Sequence, residues 1–338
     1  SWKIQMEHQG FFQWNGTSHG SAGNYPKGMG SVIFAEGILW GVKATDKYGV
    51  KENGEILTDG TGSGLPRIRV NGSMYNTGLK AGKVLRDANG RIKTSGYSEN
   101  YRDQQIWRVR KDWNTGDLTV DASILRDIAV SDVTEAMIAA DKAQYEKDWK
   151  NWPTDEGAPF DDVDGDGVYT PGTWNDETGS WSGDIPGIPG SDQTVWTVAN
   201  DLPDEYADGG VVSVSEDGWG SPPVGFEMQL TLWGYDFPFS NPISSMMFKR
   251  ARMIYVGLPG GPADAKLDTV YFTQWSDPDL GTYTDDYVGC DTTLSLGYVY
   301  NGNTFDDQFL SSFGSPVPAG GYDFLEGPKV DTNGDGVL

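Results

Sequence analysis

Short runs rich in Val, Ile, Tyr, Phe and Trp alternate along the chain with glycine and proline, of which it holds 46 and 18. That is the punctuation of a β protein. In "QIWRVRKDW", Ile106, Arg108 and Arg110 alternate with Trp107, Val109 and Lys111, the period-2 pattern of a strand with two unlike faces. In "GFEMQLTLWGYDF", Phe226, Met228, Leu230 and Leu232 alternate with Glu227, Gln229 and Thr231, as in a half-buried strand of an antiparallel sheet. The same reasoning predicts strands at 31–34, 38–44, 67–70, 105–111 and 118–125, and again at 194–199, 225–235, 247–256, 269–275 and 293–300. Asn89-Gly90 marks a tight turn between extended segments.

One segment changes period. In "SDVTEAMIAADKAQYEKDWKNWP", residues 131–153, Asp132 and Glu135 have the spacing of a capping box, strong helix formers fill the interior, and Pro153 follows the end. Ile138, Tyr145, Trp149 and Trp152 share one face, which predicts a helix docked on a β domain through aromatics. Residues 154–193 are turn-rich, and a connection of that length is functional, tethered by ions or disordered. The expectation is a mainly β protein of two antiparallel β-sandwich-like domains, at 1–130 and 194–338. A docking α-helix at 131–153 and long calcium-stabilised loops at 154–193 lie between them.

Charge sharpens this division. Residues 1–130 carry 17 Lys and Arg against 13 Asp and Glu, whereas residues 131–338 carry 8 against 36. The acidic part repels nucleic acid and anionic membrane surfaces, invites cations, and is suited to meet the basic part of a neighbouring copy. No apolar run approaches the ~20 residues of a membrane-spanning helix, so no membrane insertion is expected. Ser1 leads straight into a patterned "WKIQMEHQGFFQW", and a mature or trimmed form is expected. Cys290 is the single cysteine and His8 and His19 the only histidines, which excludes an intrachain disulfide and four-ligand Cys/His zinc. Cys290 lies in a strand-like run and is expected to be a buried, inert thiol.

The acidic loops hold the candidate chemistry. In "DDVDGDGVYTPG", Asp162, Asp164 and Asp166 stand at positions 1, 3 and 5 of a calcium loop, Gly167 supplies the turn at position 6, and Val168 offers its carbonyl at position 7. Position 12 is Thr173 rather than Glu, and no helices flank the loop, so Asp161, Asp176 or Glu177 would have to provide the missing carboxylate. "DTNGDGVL" repeats the pattern with Asp331, Asn333 and Asp335, and is incomplete as it stands. Asp277, Asp279, Asp285, Asp286 and Asp291, followed by Asn303, Asp306 and Asp307, form a third acidic group that straddles a strand and would converge on a cation between loops. A glycosidase-type carboxylate pair is the competing reading, and any two of these acids would serve it equally.

Other motifs fall away. "DGTGSGLP" (Asp59–Pro66) lacks the lysine and following helix of a phosphate loop, and the sequons at Asn15 and Asn71 are short patterns. The 13 Trp suit either sugar stacking or a core.

"DIPGIPGSDQTVWTVANDL" (Asp184–Leu202), "FTQWSDPDLGTYTDDYVGCDTTLSLGYVYNGN" (Phe272–Asn303), "GYDFLEGP" (Gly321–Pro328) and "IFAEGILWGVK" (Ile33–Lys43) resemble a family of large secreted surface proteins of the Bacteroidetes–Chlorobi group. Its members commonly end in a type IX secretion sorting domain; none is read up to Leu338, and the expectation is either cleavage on export or a longer product of which this is a part. The resemblance implies export to the cell surface or beyond, β-rich domains and no established activity. The functional expectation is a secreted, non-enzymatic structural protein with calcium as its cofactor. It would self-associate head to tail into a filament, sheath or surface layer, or act in adhesion. The alternative is a surface protein that binds or cleaves glycans.

Overall fold

The computed structural model describes residues 29–45, 66–72, 79–86, 105–202, 224–238, 240–257 and 267–327, with Met6, Lys329 and short pieces at 14–15, 20–21, 23–26, 88–89 and 92. Among these the protein is mainly β, with three α-helices and several antiparallel sheets. β1 (Trp14–Asn15) pairs with β2 (Gly20–Ser21), and β3 (Gly23–Asn24) with β4 (Ser31–Ile33). There follow β5 (Ala35–Thr45), β6 (Pro66–Gly72), β7 (Lys80–Ala81) and β8 (Trp107–Arg110), then helices α1 (Thr119–Arg126) and α2 (Glu135–Lys150). The connection after α2 holds β9 (Phe160–Asp161), β10 (Trp174–Asn175), β11 (Ser180–Trp181) and β12 (Ile185–Pro186). The long strands β13 (Gln193–Asn200), β14 (Phe226–Gly234), β15 (Met247–Tyr255) and β16 (Asp268–Asp277) come next. Last are β17 (Asp286–Asp291), β18 (Leu296–Asn301), α3 (Asp307–Phe313) and β19 (Gly320–Asp323).

The central sheet has the order β15–β14–β13–β7, with β8 also paired to β13. Its period-2 alternation gives it two covered faces. On one, Phe226, Met228, Leu230 and Leu232 of β14 meet Trp40 and Val42 of β5 and Val270 and Phe272 of β16. The Phe226 ring lies 5.8 Å from both Trp40 and Phe272, edge-on to each. On the other face, Trp196 and Val198 of β13 and Trp107 and Val109 of β8 meet Trp149 and Trp152. The helix thus docks through the aromatic face expected of it, and Tyr145, Trp149 and Trp152 are all buried. Burying a large apolar side chain contributes roughly 1.5–3 kcal/mol, so this packing, more than helix propensity, holds α2 in place.

The strands on the two sides of residues 131–153 share sheets, which corrects the division into separate β domains at 1–130 and 194–338. β5 pairs with β16 from Ala35↔Asp277 to Lys43↔Asp268, and β7 and β8 pair with β13. The inward phase of β5 is apolar, and the matching apolar surface is β14, far along the chain. Charge follows the same weave: Lys83 pairs with Glu156 at 3.7 Å and Lys111 with Asp192, each joining the basic part to the acidic part.

Three local expectations also change. Residues 118–125, expected as a strand, fall in α1 and its cap, because Leu118 and Ala122 recur at helical spacing and are fully buried. Asp117 Oδ1 accepts from both the amide and the hydroxyl of Thr119 and starts the turn. Thr134, not Asp132, caps α2 by accepting from Met137 N. Cys290 is exposed rather than buried, because β17 is an edge strand.

Residues 154–193 are ordered chiefly by tryptophan. The Trp181 ring stacks on Trp149 at 4.2 Å and is flanked by Trp174 and Trp113. Trp149 Nε1 donates to Gly172 O (3.2 Å), Trp152 Nε1 to Pro159 O (2.7 Å), and Tyr169 Oη to Trp149 O (2.6 Å). Gly172 and Gly183 let two backbones touch: a Cβ on Gly183 would lie 2.8 Å from Gly172 Cα. No helix among the described residues is long and apolar enough to cross a membrane.

Buried carboxylates tie these layers together. Asp148 of α2 accepts from Gln105 Nε2 (2.9 Å), Gln144 Nε2 (2.7 Å) and the amide of Arg108 on β8 (3.1 Å). Asp201 accepts from the amides of Val224, Gly225 and Phe226, fastening the end of β13 to the start of β14. Burial is the leading cause that raises both carboxyls, each to about 6, against the lowering effect of these donors. Between their unfolded value of about 3.9 and this raised value, the native state keeps protons that the unfolded chain has released. Their contribution to stability is therefore complete below the unfolded value and is lost as pH rises through about 6. A carboxyl-carbon NMR titration should give midpoints near 6 for both, and midpoints in the ordinary aspartate range would contradict this account of their burial.

Candidate metal centre

Asp162, Asp164 and Asp166 bring one carboxylate oxygen each within 4.8 Å of the others. The loop is wound around them by its own amides. Asp162 accepts from Gly165 N and Gly167 N at 2.8 Å each, Asp164 from Asp166 N at 3.2 Å, and Asp166 from Val168 N at 2.7 Å. Gly165 and Gly167 make the winding feasible, with φ of 75° and 76°. A carboxylate has about four lone-pair sites, so each keeps capacity for a cation.

Asp184 completes the loop, and the spacing of the acidic residues does not point to it. It is 1% exposed and lies beyond the β10–β11 hairpin, yet it holds both ends of the acidic turn. Its Oδ1 accepts from Val163 N (3.0 Å) and its Oδ2 from Thr170 N (2.7 Å). Asp164 feels the accumulated charge. The amide of Asp166 lowers its carboxyl, but desolvation and the charges of Asp166, Asp184 and Asp162 outweigh that and leave it raised. Protons therefore compete more effectively for Asp164 than for an ordinary aspartate, so a cation held there would be released as pH falls.

The expected twelfth-position carboxylate does not come from Asp161 or Asp176. Asp161 is paired with Ile185 in the β9–β12 ladder, and Asp176 and Glu177 sit in the β10–β11 turn, so neither Asp161 nor Asp176 joins the three-aspartate group. The reason is local: Asn175 Oδ1 accepts from Glu177 N and Thr178 N and closes that hairpin on itself. The loop thus offers three carboxylates, a partial oxygen shell that further oxygens would have to complete to the six to eight ligands of calcium. Asp331, Asn333 and Asp335 lie outside the described residues.

The third acidic group divides. Asp285 and Asp286 come together with Asn301, the register partner of Asp286, and with Asn303, whose Nδ2 donates to Asp285 Oδ2 at 2.6 Å. The Oδ1 atoms of Asp285, Asp286 and Asn301 are buried and accept no hydrogen bond. A cavity of ≈ 300 Å³ beside them is lined by Thr282, Asp285, Asn303, Thr304, Phe305 and Asp307. Asp279 is raised to about 6 by desolvation and then by Asp277 and Asp286, which places each of those two within electrostatic reach of Asp279. Asp291 is apart, at the other end of β17, accepting from Thr293 N and Leu294 N in a tight turn. Asp306 is fully buried and already engaged, capping α3 through Phe309 N (2.7 Å) and holding Thr282 N (2.8 Å).

No protein-family model, curated protein or solved structure matches the chain.

Two variants separate the hydrogen-bond clamp from the ion site. Asp184→Asn sets an NH₂ against one of the two loop amides and should cost about 1–3 kcal/mol in chelator, read by urea unfolding. Asp164→Ala, at an exposed position, should change stability in chelator by no more than about 0.5 kcal/mol and abolish any gain that calcium gives the wild type. A wild type that unfolds identically with calcium and with chelator contradicts the ion site.

Proposed function

We propose that this chain is a secreted, non-enzymatic structural protein, built from β-sandwich-like layers with a calcium-stiffened acidic loop, that self-associates at the cell surface or beyond. The observation that carries the reading is the outer face of the β17–β18–β19 sheet. By register, Tyr287 opposes Tyr300 and Gly289 opposes Tyr298, so the three tyrosines share one face. Tyr287 is 59% exposed and Tyr300 45%, and the nearby Leu294, Phe324 and Leu325 are exposed as well. Their rings run in series, Tyr287 to Tyr300 at 6.0 Å and Tyr300 to Tyr298 at 6.1 Å. A contiguous apolar patch of this kind on a sheet face marks an interaction surface. On the opposite face Val299 packs into the core with Leu280, Phe309 and Tyr322.

The occupant is a second copy of the chain, in head-to-tail contact. Asp291 and Asp323 share the tyrosine face by register, so two copies stacked through the same face would bring like charges together. A different, basic surface of the next copy avoids that repulsion, and such a heterologous contact builds open chains when its rotation does not close. The resemblance to exported surface proteins supports the extracellular location, and the acidic loops suit calcium-rich surroundings.

A second reading rests on the flatness of the same face. A Cβ on Gly289 would lie 2.5 Å from the Tyr298 ring, so that ring is laid flat over the glycine, as a platform for a sugar ring would be. Light scattering of the wild type and Tyr300→Asp at low salt and millimolar calcium decides between the two. Self-association predicts growth with concentration in the wild type and a monomer in the variant. A wild type that stays monomeric while a glycan array gives hits carried by Tyr300 would favour the sugar reading.

A further inference from the structure

The inward phases of β5, β15 and β16 are apolar along most of their shared interface, through Trp40 and Val42, Met253 and Tyr255, and Val270 and Phe272. At one end of that interface the same phase turns polar on all three strands: Glu36 on β5, Lys249 on β15, and Gln274 and Ser276 on β16. Register sets Ser276 opposite Glu36 and Gln274 opposite Ile38. Lys249 Nζ lies 2.8 Å from Glu36 Oε1 and donates to Gln274 Oε1 at 3.1 Å. Glu36 is 0% exposed, and neither of its oxygens accepts a well-aligned hydrogen bond. The Tyr322 ring covers the ammonium at 5.7 Å, and its hydroxyl bonds to Ser276. Gln274 Nε2 donates to Trp275 O at 2.6 Å, which fixes the amide with its carbonyl toward the lysine.

We propose that Lys249 and Gln274 join in an intramolecular isopeptide bond, with Glu36 as the acid–base group. Glu36 accepts a proton from the Lys249 ammonium, and the freed amine lone pair attacks Gln274 Cδ. Glu36 returns that proton to Nε2 and takes a second from the attacking nitrogen. The Cδ–Nε2 bond then breaks, ammonia leaves, and an amide between Lys249 Nζ and Gln274 Cδ remains. Atoms and charge balance with no oxidant or co-reactant: an ammonium, a carboxylate and a primary amide become a secondary amide, a carboxylic acid and ammonia.

Three physical terms favour the step. The nucleophile and the carbonyl are held at contact distance by two separate strands, which replaces a bimolecular encounter with a fixed one. The acid–base group is within hydrogen-bond reach of the amine. A buried ion pair carries a desolvation cost that conversion to neutral groups relieves. β15 and β16 are edge strands of different sheets, so the new bond would staple the two layers covalently. This inference stands apart from self-association and does not need it.

Intact-mass measurement of the folded, full-length chain after incubation at neutral pH tests the proposal. The expected result is a deficit of about 17 Da, the mass of ammonia, and a branched peptide linking residues 249 and 274 on digestion. Lys249→Arg keeps a cation beside Glu36 and should restore the sequence mass, and Glu36→Gln should do the same. Wild-type protein at its full sequence mass overturns the proposal whether or not either variant folds. So does a deficit that maps to an Asn-Gly site, or one that persists in Lys249→Arg.

Discussion

Amides that leave a sheet need acceptors, and in this protein buried carboxylates supply many of them. Asp201 takes three amides where β14 begins, Asp184 takes one from each end of the acidic turn, and Asp306 takes one from α3 and one from the loop before β17. Glu227 reaches Val84 N at 2.8 Å, and Asp286 reaches Leu280 N at 2.8 Å. Burying a carboxylate is costly unless its oxygens are satisfied, and backbone donors aimed at both oxygens offset that cost. The loops are thereby held at defined points, and the sheets they connect keep their register.

On this footing the layers assemble from distant parts of the chain. The central sheet lies between β5 and β16 on one side and α2 with its tryptophans on the other, so both faces of β14 are buried from Phe226 to Leu232. Such pairing is non-local, and little of it can form before the chain has collapsed. The polar end of the interface, with Glu36, Lys249 and Gln274, is the place where an apolar phase is broken on three strands at once. It is also the place where the proposed isopeptide bond would join the two layers.

Much of the architecture was legible in the sequence because alternation reports directly on burial. The phase read for Trp107 and Val109 matches the buried face of β8, and the aromatic stripe of α2 points where its spacing said it would. β14 departs from the half-buried strand expected of it: Glu227, Gln229 and Thr231 are buried like Phe226 to Leu232, because α2 and its connection cover the second face. Pairing partners were not legible: a period of two fixes which face of β5 is inward, but not that β16 will lie beside it. Helix α1 was not legible because Leu118, Val120, Ala122 and Ile124, apolar at every second position, mimic a strand while Leu118 and Ala122 also fit a helical turn. At the candidate centre, the spacing of Asp162, Asp164 and Asp166 identified the grouping that the fold makes, whereas Asp184 gave no local signal. Its partners are amides of the loop itself, and only the return of the chain through β12 brings it there. The acidic excess suggests surface charge and cation affinity, but a part of it is internal hydrogen bonding.

Calcium and self-association are thus proposals that rest on a frame of carboxylate-held loops, and the frame is what most needs testing. Amide hydrogen exchange in chelator does so directly, at positions outside the strands: Val163, Thr170, Val224, Gly225 and Thr282. With buried aspartates as their acceptors, these amides should exchange as slowly as those of β13 and β14. Exchange at the pace of the exposed turn amides of Thr293 and Leu294 would contradict the account.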